Sequence, residues 1–155
     1  MTYRISGLDP SDFASLRGAD EATLAARNAI RVVADSKPGF PCRVTLEDAE
    51  PGESLILLNH VSHDVATPFR SAYAIYVREE AARAASYVDE VPPALANRTI
   101  ALRAFDAAGM LRDASLAGPG EADRAIRILF EGPEIAYIDA HNAAAGCFAA
   151  RVERS

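Results

Sequence analysis

Asp139, His141, Cys147 and Arg151 stand on two candidate strands, Ile135 to His141 and Cys147 to Glu153, joined through Asn142-Ala143-Ala144-Ala145-Gly146. A Cys–His pair makes a thiolate nucleophile when the imidazole takes the thiol proton and an electrophile fits beside it. A carboxylate that orients the imidazole completes such a relay, and an arginine fork grips a carboxylate or phosphate. A five-residue loop would set His141 opposite Cys147, Asp139 opposite Ala149 and Tyr137 opposite Arg151. Directly paired side chains have β-carbons roughly 4.5–5.5 Å apart, so this register predicts a shared space.

Period-two geometry splits the hairpin into two faces. One carries Ala136, Ile138, Ala140, Phe148, Ala150 and Val152 and suits a core. The other displays Tyr137, Asp139, His141, Cys147 and Arg151. Three readings follow. In the first, a pocket binds a small anionic ligand or an acidic group, with Arg70 and Arg151 on the anion, His141 and Asn142 orienting it, and Cys147 in the wall. Cys42 and Arg43 are additional candidates for that site. In the second, a cysteine-dependent enzyme uses Cys147 as nucleophile, His141 as base and Asp139 as orienter. In the third, the residues only complete a core in a noncatalytic structural or protein-interaction domain. A slip of one residue would send one member of the set to the opposite face.

Other motifs are weaker. His60-Val61-Ser62-His63-Asp64 has nitrogen and oxygen donors, but no companion pair fixes a metal geometry, so no metal and no cofactor are assigned. Gly118-Pro119-Gly120 lacks both the Walker-type Lys-Ser/Thr ending and the dinucleotide-binding glycine pattern, and reads as a helix cap. No Gly-x-Ser-x-Gly elbow is present.

The elements that must position these residues alternate in type. Asp9 caps a first short helix, Pro10 suits its first turn, and Gly18 ends it. A second helix runs from Asp20 or Glu21 to Arg27, with Asn28 in the terminal turn. Ile30, Val32 and Val33 favour a strand. Cys42, Val44 and Leu46 alternate with Arg43 and Thr45, which predicts a strand in a hairpin with Leu55 to Leu58 across Glu50-Pro51-Gly52-Glu53. Residues 60 to 71 read as an irregular polar segment, 72 to 77 as a strand, 79 to 86 as helix by composition, and 100 to 105 as a strand. From Glu121 to Glu131, Ala122, Ala125, Ile126, Leu129 and Phe130 form one apolar stripe, with Asp123 and Arg127 paired at the surface. The order predicts an α+β fold, a compact mixed and mostly antiparallel sheet with short packing helices, in a single compact domain over 1–155.

The 155 residues are half apolar and one quarter charged, ordinary proportions for a globular chain. Sixteen basic and twenty-two acidic residues give a formal charge of −6. That balance argues against nucleic acid or a membrane surface as the main partner, and leaves a homo-oligomer open. No apolar run approaches the length of a membrane span. The two cysteines and the absence of a signal-peptide pattern point to a reducing cytoplasm.

Pro38-Gly39-Phe40-Pro41-Cys42-Arg43-Val44-Thr45-Leu46-Glu47-Asp48-Ala49-Glu50-Pro51-Gly52 resembles an uncharacterised, mainly bacterial domain family numbered 1203 among domains of unknown function. Thr67-Pro68-Phe69-Arg70, Leu102-Arg103-Ala104-Phe105-Asp106, His141-Asn142 and Gly146-Cys147-Phe148-Ala149-Ala150-Arg151-Val152 look like the same family. The resemblance implies one compact cytoplasmic domain and supplies no substrate. It directs attention to Cys42, Arg43, Arg70, His141, Asn142, Cys147 and Arg151.

Overall fold

In the computed structural model, which describes residues 1–155, the chain forms nine strands and three short α-helices around two antiparallel sheets. The strands are β1 (Tyr3–Ser6), β2 (Ala29–Val33), β3 (Ser54–His63), β4 (Ser71–Arg78), β5 (Ser86–Val88), β6 (Ile100–Phe105), β7 (Leu111–Ala117), β8 (Tyr137–Asn142) and β9 (Phe148–Arg154). The helices are α1 (Glu21–Ala26), α2 (Pro93–Ala96) and α3 (Ala122–Leu129). The larger sheet has the order β5-β1-β9-β8-β6-β7 and the smaller β2-β3-β4. The fold class is α+β, as expected.

The order of the larger sheet explains why its terminal hairpin is buried. The first strand pairs with the last, Ile5 opposite Val152, so β8 and β9 become central strands with neighbours on both sides. One face of these strands supplies Ile5, Ile100, Leu102, Ala104, Ile138, Ala140, Ala150 and Val152 to a core closed by Ile126 and Leu129 of α3. At roughly 1.5–3 kcal/mol for each fully buried branched side chain, this cluster is a main source of stability. The smaller sheet buries Ile56, Leu58, Ile75 and Val77 against Phe13, Leu16 and Leu24 of the N-terminal helices.

Local signals hold where a cap or a period is strong. The Asp9 carboxylate accepts from Ser11 N–H, though Pro10–Leu16 is a 3-10 helix rather than α. Asp20 caps α1 through Thr23 N–H, and Asn28 takes the left-handed turn at φ 51°. Arg127 of α3 pairs with Asp123 one turn earlier.

Three expectations are corrected. Cys42 to Leu46 is a folded turn: Leu46 N–H bonds back to Cys42 C=O, and Leu46 sits at φ 55°. Cys42, Val44 and Leu46 are buried, but so is Arg43, so no solvent face alternates with the apolar one. The hairpin partner of β3 is therefore β4, and β3 extends through His63 into the segment read as irregular. Residues 79 to 86 are turns and the start of β5. Their composition suits helix, but Glu79 is held by Arg31, Ser54 and Gly18 N–H, which pins the chain at the sheet end. Strands β1 and β7 carry no strong pattern in the sequence.

Candidate functional site

The hairpin that carries the candidate residues closes more tightly than its loop length suggests. Asn142 N–H donates to Cys147 C=O at 2.9 Å, and Gly146, at φ 80°, donates to Asn142 C=O at 2.8 Å. The turn is therefore four residues long. His141 pairs with Phe148, whereas Ala140 pairs with Ala150, so Ala149 is an extra residue on β9. Such a bulge switches side-chain parity along one strand. Beyond it Asp139 lies directly opposite Arg151, and Tyr137 opposite Glu153. Phe148 thus joins the face of Asp139, His141 and Arg151, and Cys147 moves to the face of Asn142. The expected pairings of His141 with Cys147, Asp139 with Ala149 and Tyr137 with Arg151 are corrected accordingly. A Cys147–His141–Asp139 relay is not assembled.

The face holding His141 is closed. It packs between the two sheets, where Asp139 is 1% exposed and accepts both Nε (2.8 Å) and Nη2 (3.0 Å) of Arg151. Burial alone would lower the Arg151 guanidinium, but the hydrogen bonds and charge of Asp139 outweigh it and hold it above its usual value. His141 Nδ1–H donates to Gly146 C=O at 2.9 Å, and its ring meets Tyr73 edge-on. Burial pushes its pKa down to about 4, so it is neutral at pH 7. His63 donates from Nδ1 to Phe69 C=O and accepts from Tyr137 O–H at Nε2. Asp139, Arg151, His63 and Tyr137 thus find partners, as buried polar groups should, whereas the buried Ser62 Oγ of β3 has none.

The other side of the turn is open. A groove of about 670 Å³ runs between Gly39–Arg43, the β3–β4 part of the smaller sheet at Leu57, Ala74 and Tyr76, the Arg98–Thr99 segment, and the turn from Asn142 to Cys147. Arg43 is the unusual member. Its backbone is fixed by Arg43 N–H to Tyr76 C=O and by Leu8 N–H to Arg43 C=O. Its side chain is 4% exposed, donates from Nε to Phe148 C=O and from Nη1 to Pro41 C=O, both at 2.7 Å, and meets no carboxylate. Burial pushes its pKa down to about 10, against the opposing influence of the Cys147 and Cys42 thiols. It therefore remains charged at neutral pH, and its Nη2 donors are not taken by the protein.

Two neighbours sharpen the picture. The Asn142 Oδ1 is buried with no hydrogen-bond partner, which costs roughly 1–3 kcal/mol. Arg98 contributes a second guanidinium, but Nη1 and Nη2 already bind Asp48 at 3.0 and 2.6 Å. The site's net charge is thus that of Arg43, in a chain whose formal charge is −6.

Of the candidates named from sequence, Arg43, Asn142 and Cys147 meet in this groove. Cys42 lies beneath it, buried, with Sγ accepting from Arg78 N–H. Asp139, His141 and Arg151 belong to the closed face. Arg70 is apart from both, exposed and paired with Asp64 at 3.1 Å. Both cysteines are free thiols, and no three histidine, cysteine or carboxylate side chains converge as a metal site would require. No helix is long and apolar enough to cross a membrane.

Residues 39–154 match the model of the family described as Protein of unknown function (DUF1203). The chain belongs to this family. Every residue lining the groove, from Gly39 to Cys147, falls inside the matched span, whereas β1, the N-terminal helices and β2 precede it. No curated protein and no solved structure matches the chain. Sequence reasoning missed Tyr76, Arg98 and Thr99 as groove residues, because only the tertiary fold brings β4 and the Arg98–Thr99 segment beside the terminal turn.

Proposed function

We propose that this protein binds a small molecule or acidic group through the groove at Arg43, without a catalytic step of its own. The observation that carries this reading is the buried Arg43 guanidinium with no carboxylate partner, facing an open cavity. A buried charge is costly unless it is paired, and a bound carboxylate would supply the missing charge to a planar donor fork. Leu57, Tyr76 and Ala143 to Ala145 give the same groove an apolar wall for the body of such a ligand. Cys147 lines the wall without a base beside it, which favours binding over thiol catalysis. The free thiols suit the cytoplasmic location expected for the chain.

Benzoate, an apolar body with one carboxylate, is the simplest probe. Titrated into the isotopically labelled chain, it should shift the Arg43 Nε–H resonance and the amides of Ala143 to Cys147 together and to saturation. Shifts spread over exposed arginines such as Arg70, or none at all, would overturn the reading.

A further inference from the structure

We propose that the groove receives the C-terminal carboxylate of an extended peptide, which adds as a strand to the free edge of β4. This deepens the preceding reading and rests on it. Strand β4 is the edge of the smaller sheet. Tyr76 C=O accepts from Arg43 N–H at 3.0 Å, and Arg78 N–H reaches Cys42 Sγ at 3.3 Å, so the even-numbered residues turn their backbone groups away from β3. By the same alternation Ala72 and Ala74 face outward, and no protein group takes their N–H or C=O. Ala74 is exposed and forms part of the groove wall.

An open edge of this kind is a template for an incoming strand, with main-chain hydrogen bonds supplying affinity. Here it stops at a fixed point, because the protein's own Cys42–Arg43 segment occupies the edge beside Tyr76 and Arg78. A strand running through would collide with that segment, so the visitor must end there. The unneutralised charge of Arg43 stands at this stop, which selects a terminal carboxylate and repels a terminal amine.

The test passes a pool of N-acetylated pentapeptides, randomised at every position, over the immobilised full chain in two forms, free acid and C-terminal amide, with benzoate binding measured in parallel. Free acids should be retained about tenfold more than amides, the scale of one charge-assisted hydrogen bond. Ala72→Pro, which removes an edge N–H outside the groove lining where proline is tolerated, should weaken peptide retention and leave benzoate binding in place. Equal retention of acids and amides, or benzoate binding with no peptide retained, would overturn the peptide proposal alone. Failure of both probes would overturn the anion-binding reading as well.

Discussion

Arg151 and Arg43 flank the same terminal hairpin, and their surroundings differ in one respect that separates structure from function. Arg43 is buried whereas the Arg151 side chain stays 35% exposed, and each donates to backbone carbonyl oxygen. Arg151 also has Asp139, which binds it through two hydrogen bonds and offsets the cost of burial. Arg43 has only carbonyl dipoles, and burial dominates its titration. The closed face has paired its charged groups, Asp139 with Arg151, within itself. The open groove still has a cation without a carboxylate partner, on which the proposed binding rests.

The largest expected effect would break this contrast at its closed end. Arg151→Met leaves the Asp139 carboxylate buried and alone, and should cost roughly 3–5 kcal/mol, read from the urea unfolding midpoint. Arg43→Met removes two hydrogen bonds to carbonyls but also an uncompensated charge, so its loss should be smaller, about 2 kcal/mol or less. Equal losses would mean that the two arginines are not distinguished by their partners.

Next in size is a pH effect confined to the closed face. The folded-state pKa of His141 is depressed to about 4 by burial, below the ordinary unfolded value of about 6.5. Between these values the unfolded chain binds the proton and the folded chain does not. Stability should therefore fall as pH drops from about 6.5 to about 4, by roughly 3 kcal/mol in all. A His141→Gln variant should show a shallower slope over that window in urea titrations. Identical slopes would place His141 in contact with water.

The smallest effect has the opposite sign. Asn142→Leu removes an acceptor that the fold leaves unpaired, and should change stability by less than about 1 kcal/mol or raise it. Thermal unfolding would check this, and a large loss would mean that Oδ1 has a partner in solution. Ligand linkage gives a companion result: benzoate at a hundredfold over its dissociation constant should stabilise the wild-type chain by about 2.7 kcal/mol, and Arg43→Met by little.

What could be read from sequence follows the strength of local signals. The stripe of Ala122, Ile126 and Leu129 allows one helix face only, and the Asp9 cap marks a helix start by chemistry. The run at Cys42, Val44 and Leu46 misled because alternation reports burial of alternate residues, and a buried turn can produce it. Strand β7 mixes Arg112, Asp113 and Ser115 with no β-branched residue, so edge pairing with β6 rather than propensity makes it a strand. The bulge at Ala149 left no mark, since Phe148-Ala149-Ala150 suits either parity. That single residue decides which face receives Cys147. Arg43, Asn142 and Cys147 are nameable individually, but their meeting place depends on Tyr76 of β4 and on Arg98, both distant in sequence.

A crystal structure of the chain grown with benzoate tests the central claim most directly. The account predicts the carboxylate within about 3 Å of Arg43 Nη2, with the ring against Leu57 and Tyr76. Benzoate ordered only at exposed arginines, with water alone at Arg43, would contradict it.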